Sequence, residues 1–314
     1  MEFGKLQDIS NVDFTLPDEH VETEAFLKKL EPTKKPIIRI AAPVWGTPEW
    51  KGIWYPQKAK PSDYLYHYSR QFDSIELNVT HYQIPPAERI LKWKEMTPKG
   101  FLFCPKIYKG ISHHKQLVNC GELTAVFCDR MALFGDRLGI CFLQLPPHFS
   151  PQKAQILINY LENFPAQTRL AIEFRHKDWF NSEFNQQNEE TKEAVREVFS
   201  VMRRHAFIAL MTDVSGRRDA MHMRLTSDTM VLRLVGNSLD KTDYERMENW
   251  TEKMDHWIKS GLNQFHFWLH QPDNIKTAEM AVFLIERLKE KGYTNINSPK
   301  EIREETKNDM PSLF

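Results

Sequence analysis

The chain of 314 residues is short of most features that would place it in a special class. It has no apolar run near the roughly 18 residues of a membrane-spanning helix, which excludes a helical membrane protein. Its opening, MEFGKLQDIS, has no apolar h-region of the kind a secretion signal needs, so the expected compartment is the cytoplasm. Neither sign of charge is in excess: 42 Lys plus Arg balance 42 Asp plus Glu. No global field therefore exists to hold a nucleic-acid backbone or an anionic membrane, and a nucleic-acid role would need a local patch. Cysteine is sparse, at four residues with no CxxC pair, and Cys104 and Cys141 lie in apolar runs where a reduced thiol packs as a small hydrophobe. This argues against a disulfide framework or a zinc ribbon. Glycine is also sparse, at 12 residues, and the turn APVWGTPEW after the first apolar run carries no GxGxxG, so a dinucleotide-binding open sheet has no support.

What is present is rhythm. After residues 1–36, an acidic extension with one short helix near Glu19 to Leu30, strand-length apolar runs alternate with helical patterns. The strand candidates are Ile37 to Ala42, Ser74 to Val79, Phe101 to Lys106, Gly139 to Leu145, Leu170 to Phe174, Ala206 to Met211, Met230 to Val235 and Gln264 to Leu269. Between them lie helical spacings such as Leu123, Val126, Phe127, Met131, and Val195, Val198, Phe199, Met202. Ser150 before Pro151 reads as an N-cap with proline in the first turn. Eight such units in about 250 residues predict an α/β fold, a single (β/α)8 TIM-type barrel over residues 37–292, with a doubly wound open sheet as the alternative. Residues 293–314 read as a polar tail, frayed or partner-bound.

In such a barrel, functional residues sit at the C-terminal ends of the strands. Charged and polar residues are dense there: Glu76, Asn78, Thr80 and Tyr82 after strand two; Lys106 and then His113 after strand three; Gln144 after strand four. Glu173, Arg175 and His176 follow strand five, Asp213 strand six, Arg233 lies in strand seven, and His270 ends strand eight. Strand residues two apart share a face, which aligns Glu76 with Asn78 and Glu173 with Arg175. A carboxylate inside an apolar strand is costly unless paired or wet, and a shared polar mouth explains all of these residues together. For each one a structural role stands as the alternative: an ion pair for Glu173 with Arg175, or a lysine reaching solvent for Lys106.

Two carboxylates beside arginine forks suit acid-base chemistry on a small anionic or phosphorylated, sugar-like substrate, of hydrolase or isomerase type. The sequence expectation assigns catalysis to Glu76, Glu173, Asp213 and His176. It assigns substrate binding to Trp45, Asn78, Thr80, Tyr82, Lys106, His113, Gln144, Arg175, Trp179, Arg233 and His270. No metal ligand is assigned. A magnesium or manganese ion held by Glu76, Glu173, Asp213 and a histidine is the alternative, as is a non-catalytic ligand sensor or nucleic-acid module. His266 and His270 have helical metal-ligand spacing, but on a strand they stand roughly 13 Å apart, too far to share one ion.

The ordered segments SIELNVTHYQIP (Ser74 to Pro85), TPKGFLFCPK (Thr97 to Lys106), FLQLPPHF (Phe142 to Phe149), AIEFRHKDW (Ala171 to Trp179) and VLRLVG (Val231 to Gly236) resemble the domain of unknown function 72 family, also called YecE-like. The resemblance spans roughly residues 37–290 and implies a TIM-type barrel, while bringing no established activity with it. The chain departs from the family pattern at Ala41, Ala42 and Pro43, at His81, and at Leu269, His270 and Gln271.

Overall fold

Apolar runs alternating with amphipathic segments produce a single parallel sheet in the computed structural model, which describes residues 4, 6–33, 35–180 and 188–302. The strands are β1 Ile37–Ala42, β2 Ser74–Leu77, β3 Leu102–Pro105, β4 Cys141–Gln144, β5 Leu170–Glu173, β6 Ile208–Asp213, β7 Thr229–Val235 and β8 Gln264–His270. They pair in the order β3-β2-β1-β8-β7-β6-β5-β4. Single bridges from Phe103 to Leu138 and from Lys106 to Phe142 draw the two end strands together, so the sheet is a nearly closed barrel. The expected α/β TIM-type barrel is the observed fold.

Strand side chains alternate between two cores. Ala41, Cys104, Phe142, Ala171, Leu210, Val231 and Trp268 fill the barrel interior, while their neighbours pack against the helices. The small Ala41 and Ala171 leave room for the rings of Phe142 and Trp268, whose centroids are 4.8 Å apart. Burying a side chain such as Phe142 contributes about 1.5–3 kcal/mol.

The helices are α1 Val21–Leu27, α2 Tyr64–Gln71, α3 Ala87–Met96, α4 Gly121–Ala132, α5 Ala154–Glu162, α6 Glu189–Arg204, α7 Lys241–Lys259 and α8 Thr277–Glu290. Helix α2, YLYHYSRQ, is not in the sequence reading; Tyr64, Leu65, Tyr68 and Ser69 form its buried face. It is a structural pin: the Tyr68 hydroxyl accepts from Ala42 N and lies 2.9 Å from the carbonyls of Ala42 and Ser74, joining β1 to β2. Ser150 does stand at the N-cap with Pro151 in the first turn, as expected, but without a side-chain cap hydrogen bond. Pro151–Lys153 is a 3-10 turn ahead of α5, and the Ser150 hydroxyl turns to the Gln152 side chain rather than to a backbone N–H.

The connection from β6 to β7 has a 3-10 segment, Ser215–Ala220, where other crossovers carry an α-helix. Helix α1 of the extension occupies that place in the outer ring. Thr23 Oγ1 donates to Met223 O at 2.9 Å and accepts from Leu225 N at 3.1 Å. Glu22 pairs with Arg203 of α6 at 3.0 Å, and Glu19 takes Lys253 Nζ and Trp257 Nε1 of α7 at 2.8 and 3.1 Å. The described part of the expected tail, 293–302, is also docked rather than frayed. Lys300 exchanges hydrogen bonds with Gln71 of α2, and Ile302 N donates to Ile53 O. Residues 303–314 lie outside the described residues.

Candidate functional site at the barrel mouth

Strand parity decides which polar residues meet. Glu76 shares the interior face of its strand with Ser74, Lys106 with Cys104, Gln144 with Phe142, Glu173 and Arg175 with Ala171, Arg233 with Val231, and His270 with Trp268. These seven side chains form one buried chain of contacts above the apolar layer.

Arg233 Nε stands 3.2 Å from each oxygen of Glu76. Asn78 Nδ2 donates to Glu76 Oε1 at 2.9 Å, and His270 Nε2 lies 2.5 Å from Glu76 Oε2. The second carboxylate, Glu173, accepts from Arg175 Nε at 2.8 Å and from Gln144 Nε2 at 2.6 Å, with Arg233 Nη1 at 3.9 Å. Gln144 presents its oxygen to Lys106 Nζ at 2.9 Å. Arg233 thus stands between two carboxylates, and Gln144 links Glu173 to Lys106.

Burial alone would push both carboxyls up, since it penalises their charged forms. The neighbours reverse this. Arg233, the hydrogen bond from His270, and Lys106 hold Glu76 far below the usual carboxylate range. Arg175, Arg233 and Lys106 bring Glu173 down to about 2. Burial also dominates at Lys106, and with Arg233 beside it the ammonium falls to about 8 despite the attraction of Glu173. His270 is held below its ordinary value by burial, against the pull of Glu76. The ionised Glu76 has no proton to give, so the Nε2–H of a neutral His270 donates to it and the ring lone pair is on Nδ1.

Above this cluster opens a cavity of about 750 Å³ whose wall includes Asn78, Tyr82, Lys106, Arg233 and His270. Glu76 and Glu173 are fully buried behind that wall. The cavity rim also includes Ser215, Asn237 and Gln271 from the loops after β6, β7 and β8. Sequence reasoning did not single out these residues as ligand contacts, although Gln271 lies in the segment that departs from the family pattern. At Gly236 on this rim a Cβ would come within 2.2 Å of Gln271 Nε2 and 2.7 Å of Asp243 Oδ2, so the ends of both side chains would have to shift.

The remaining wall comes from the extension. Leu6, Gln7 and Ile9 line the mouth. Arg218 fastens this strap by donating to Asp13 O at 3.1 Å and to Thr15 O at 2.9 Å, with its guanidinium 5.6 Å from the Phe14 ring. Upstream, Gly4 O accepts from Gly216 N at 2.8 Å and from Ser215 Oγ at 3.2 Å.

Several residues expected at the site lie elsewhere. Asp213 has the opposite strand parity to Thr212 and faces outward, where it is fully buried against Arg246, Trp250 Nε1 at 2.7 Å, and Arg218. It is a counter-charge beneath α7, apart from the seven side chains that meet at the mouth. Trp179 is buried in the outer core against Phe174, with its Nε1 donating to Phe149 O at 2.9 Å, and is no cavity wall. His176 begins the turn Lys177–Trp179, with its Nδ1 accepting from Asp178 N at 3.3 Å. Thr80 is buried and donates toward Leu77 O and Lys106 O, at 2.9 and 2.7 Å, so it fixes the backbone of Lys106. Trp45 packs edge-on against Trp93 at 5.6 Å. His113 meets His81 edge-on at 5.0 Å and hydrogen-bonds Ser112, and burial with the field of Lys106 lowers it to about 4. Among the described residues no group of three His, Cys, Asp or Glu side chains is placed to hold a metal ion. No described helix is long and apolar enough to cross a membrane.

Fold and mouth together define a (β/α)8 barrel protein with a charged pocket at the C-terminal ends of its strands. The chain belongs to the family described as protein of unknown function DUF72, whose model matches residues 39–304. It is similar to the UPF0759 protein YecE of Escherichia coli (strain K12), with 27% identity over 262 residues covering 81% of this chain and 93% of that protein. It is also similar to the UPF0759 protein YunF of Bacillus subtilis (strain 168), with 28% identity over 144 residues, 42% of this chain and 50% of that one. Among solved structures, a DUF72 family protein from Enterococcus faecalis V583 superposes with a TM-score of 0.62 at 18% identity, covering 82% of this chain and 99% of that one. Another, from Thermotoga maritima MSB8, gives 0.59 at 21% identity over 81% and 98%. The strap over the mouth precedes the family-matched region.

Proposed function

We propose that the mouth is an active site for acid-base chemistry, of isomerase or hydrolase type, on a small sugar-like molecule bearing a phosphate or carboxylate. The observation that carries this reading is the arrangement of charge. Lys106 and Arg233 reach the cavity wall while the two carboxylates that balance the cluster stand behind it. Lys106, Arg175 and Arg233 supply three positive charges against two from Glu76 and Glu173, and the wall facing a ligand is cationic. A cavity of about 750 Å³ suits a molecule of sugar-phosphate size.

The roles differ from those expected from sequence. Carboxylates held far below neutral pH by arginine are poor proton acceptors, so Glu76 and Glu173 orient and charge-balance their neighbours. Proton transfer falls to His270, held by Glu76, and to Lys106, both on the cavity wall.

The test is a thermal-shift comparison of triose, pentose and hexose phosphates, each beside its neutral parent. A ligand at about a hundred times its Kd adds roughly 2.7 kcal/mol of stability. Selective stabilisation by at least one phosphorylated member is the expected result. Equal response to both members of every pair, or none to any, overturns the reading.

A further inference from the structure

We propose that Lys106 is a covalent catalyst: its Nζ condenses with the aldehyde or ketone carbon of the mouth ligand to form an imine. This rests on the mouth being the ligand site and narrows its substrate to a carbonyl compound carrying an anionic group.

The geometry singles out Lys106 among the cations of the cluster. Arg233 and Arg175 are matched to Glu76 and Glu173 at 3.2 and 2.8 Å. Lys106 Nζ meets a neutral acceptor, Gln144 Oε1, and among the described residues no carboxylate oxygen lies within 4.0 Å of it. An ion pair would keep the amine protonated; an amide does so far less. The side chain is also fixed at both ends. Thr80 holds its carbonyl at 2.7 Å, and Gln144 is itself oriented by Glu173 at 2.6 Å, which turns the amide oxygen toward the lysine. The residue is only 4% exposed, yet it reaches the cavity. Burial and the neighbouring guanidinium bring it down to about 8. At pH 7 about a tenth of it is then free amine, against about three in ten thousand for an ordinary lysine.

The step balances without an added reagent. The Nζ lone pair forms a C–N bond as the carbonyl π pair moves to oxygen, and a proton passes from nitrogen to that oxygen to give a carbinolamine. The hydroxyl then leaves with the second nitrogen proton as one water, and the imine remains with no change in oxidation state. Neutral His270, on the same wall, is the group that can carry these protons. The imine nitrogen, once protonated, is an electron sink that acidifies the adjacent C–H, and Arg233 stands at the wall for the anionic group of the same ligand.

The test incubates the full chain with glyceraldehyde 3-phosphate and sodium cyanoborohydride, with neutral glyceraldehyde as control, followed by intact mass and peptide mapping. Reduction of the imine leaves an adduct equal to the probe less one oxygen atom. The expected result is labelling of Lys106 about tenfold or more above the mean exposed lysine, stronger with the phosphorylated probe, and absent in Lys106→Arg. Labelling spread over exposed lysines with Lys106 not enriched overturns the proposal. If phosphorylated probes raise the melting temperature but Lys106 stays unlabelled, the imine is refuted and the anion-binding mouth stands; if neither occurs, both are refuted. Should Lys106→Arg fail to fold, the peptide map of the unaltered chain decides alone.

Discussion

Arg233→Met removes the guanidinium that stands between two fully buried carboxylates, without opening a large void. Glu76 loses the partner 3.2 Å from both its oxygens, and Glu173 loses a neighbour at 3.9 Å, while Arg175, Gln144, Asn78 and His270 remain. Breaking a buried pair from one side costs about 3–5 kcal/mol, because the surviving charge is left without compensation. For a barrel of about 250 residues this lowers the melting temperature by roughly 6–10 °C. The sign of the pH dependence follows from the carboxyls. In the unaltered chain both folded-state values lie below the unfolded ones, so their contribution is present above the unfolded pKa of about 4.3 and is lost only as pH falls toward about 2 for Glu173. Between pH 5 and pH 7 it is flat. In the variant, burial of Glu76 is opposed only by the hydrogen bonds of Asn78 and His270 and by Lys106, so its folded value rises above the unfolded one and stability is lost as pH rises. A proton gained by His270 beside it acts in the same direction. Denaturant unfolding at pH 5 and pH 7 should therefore show the deficit widening toward pH 7, and adding Glu76→Gln should recover part of it. A deficit below about 1 kcal/mol, or one equal at both pH values with no recovery, refutes the charge network as the organiser of the mouth.

Two further substitutions separate the mouth from its surroundings. Asp213→Asn removes one of the two carboxylates that face the fully buried Arg246, which keeps Asp243 at 3.3 Å, and should cost about 1.5–3 kcal/mol, yet leave stabilisation by a phosphorylated ligand intact, because Asp213 faces away from the cavity; loss of the ligand response in a folded Asp213→Asn protein would refute that placement. Gly216→Val places a Cβ 2.7 Å from Gly4 O, so the strap must shift. Limited proteolysis should then cut faster within residues 6–16, and an unchanged cleavage rate would show that this contact does not hold the strap.

How far the sequence carried the argument depended on which rule each residue obeyed. The barrel was legible because eight short apolar runs and the helical spacings between them repeat, and tertiary context did not override any of the eight. The mouth was legible where charge interrupts an apolar strand: Glu76, Glu173 and Arg233 offset the cost of burial by meeting polar partners from other strands. Asp213 shows the limit of that logic. It ends an apolar strand as Glu173 does, but strand ends differ by one residue in register, and a shift of one turns a side chain from the barrel interior to the helical layer. The observed pairing, with Thr212 beside Arg233 and Asp213 beside Leu234, fixes the parity, and no feature of the isolated segment IALMTD does so.

Roles were less legible than places, since a role depends on partners distant in the chain. Glu76 and Glu173 read as acid and base until Arg233 and Arg175 are seen clamping them, 157 and two residues away respectively. Lys106 reads as an anion-binding residue, or as a lysine reaching solvent, until Gln144, 38 residues on, is found to be the partner of its amine. The extension posed the same difficulty in a larger form. Nothing in residues 1–36 announces that α1 would replace the helix missing between β6 and β7, because the vacancy is created by MHMRLTSD some 200 residues later. Once α1 is seated against Met223 and Leu225, the chain just before it is committed to run over the β6–β7 loops, and Arg218 on that connection fastens it. The strap across the mouth is thus a consequence of how the outer ring is completed, and the same crossover that lacks a helix supplies both the seat for α1 and the clasp for the residues that wall the cavity.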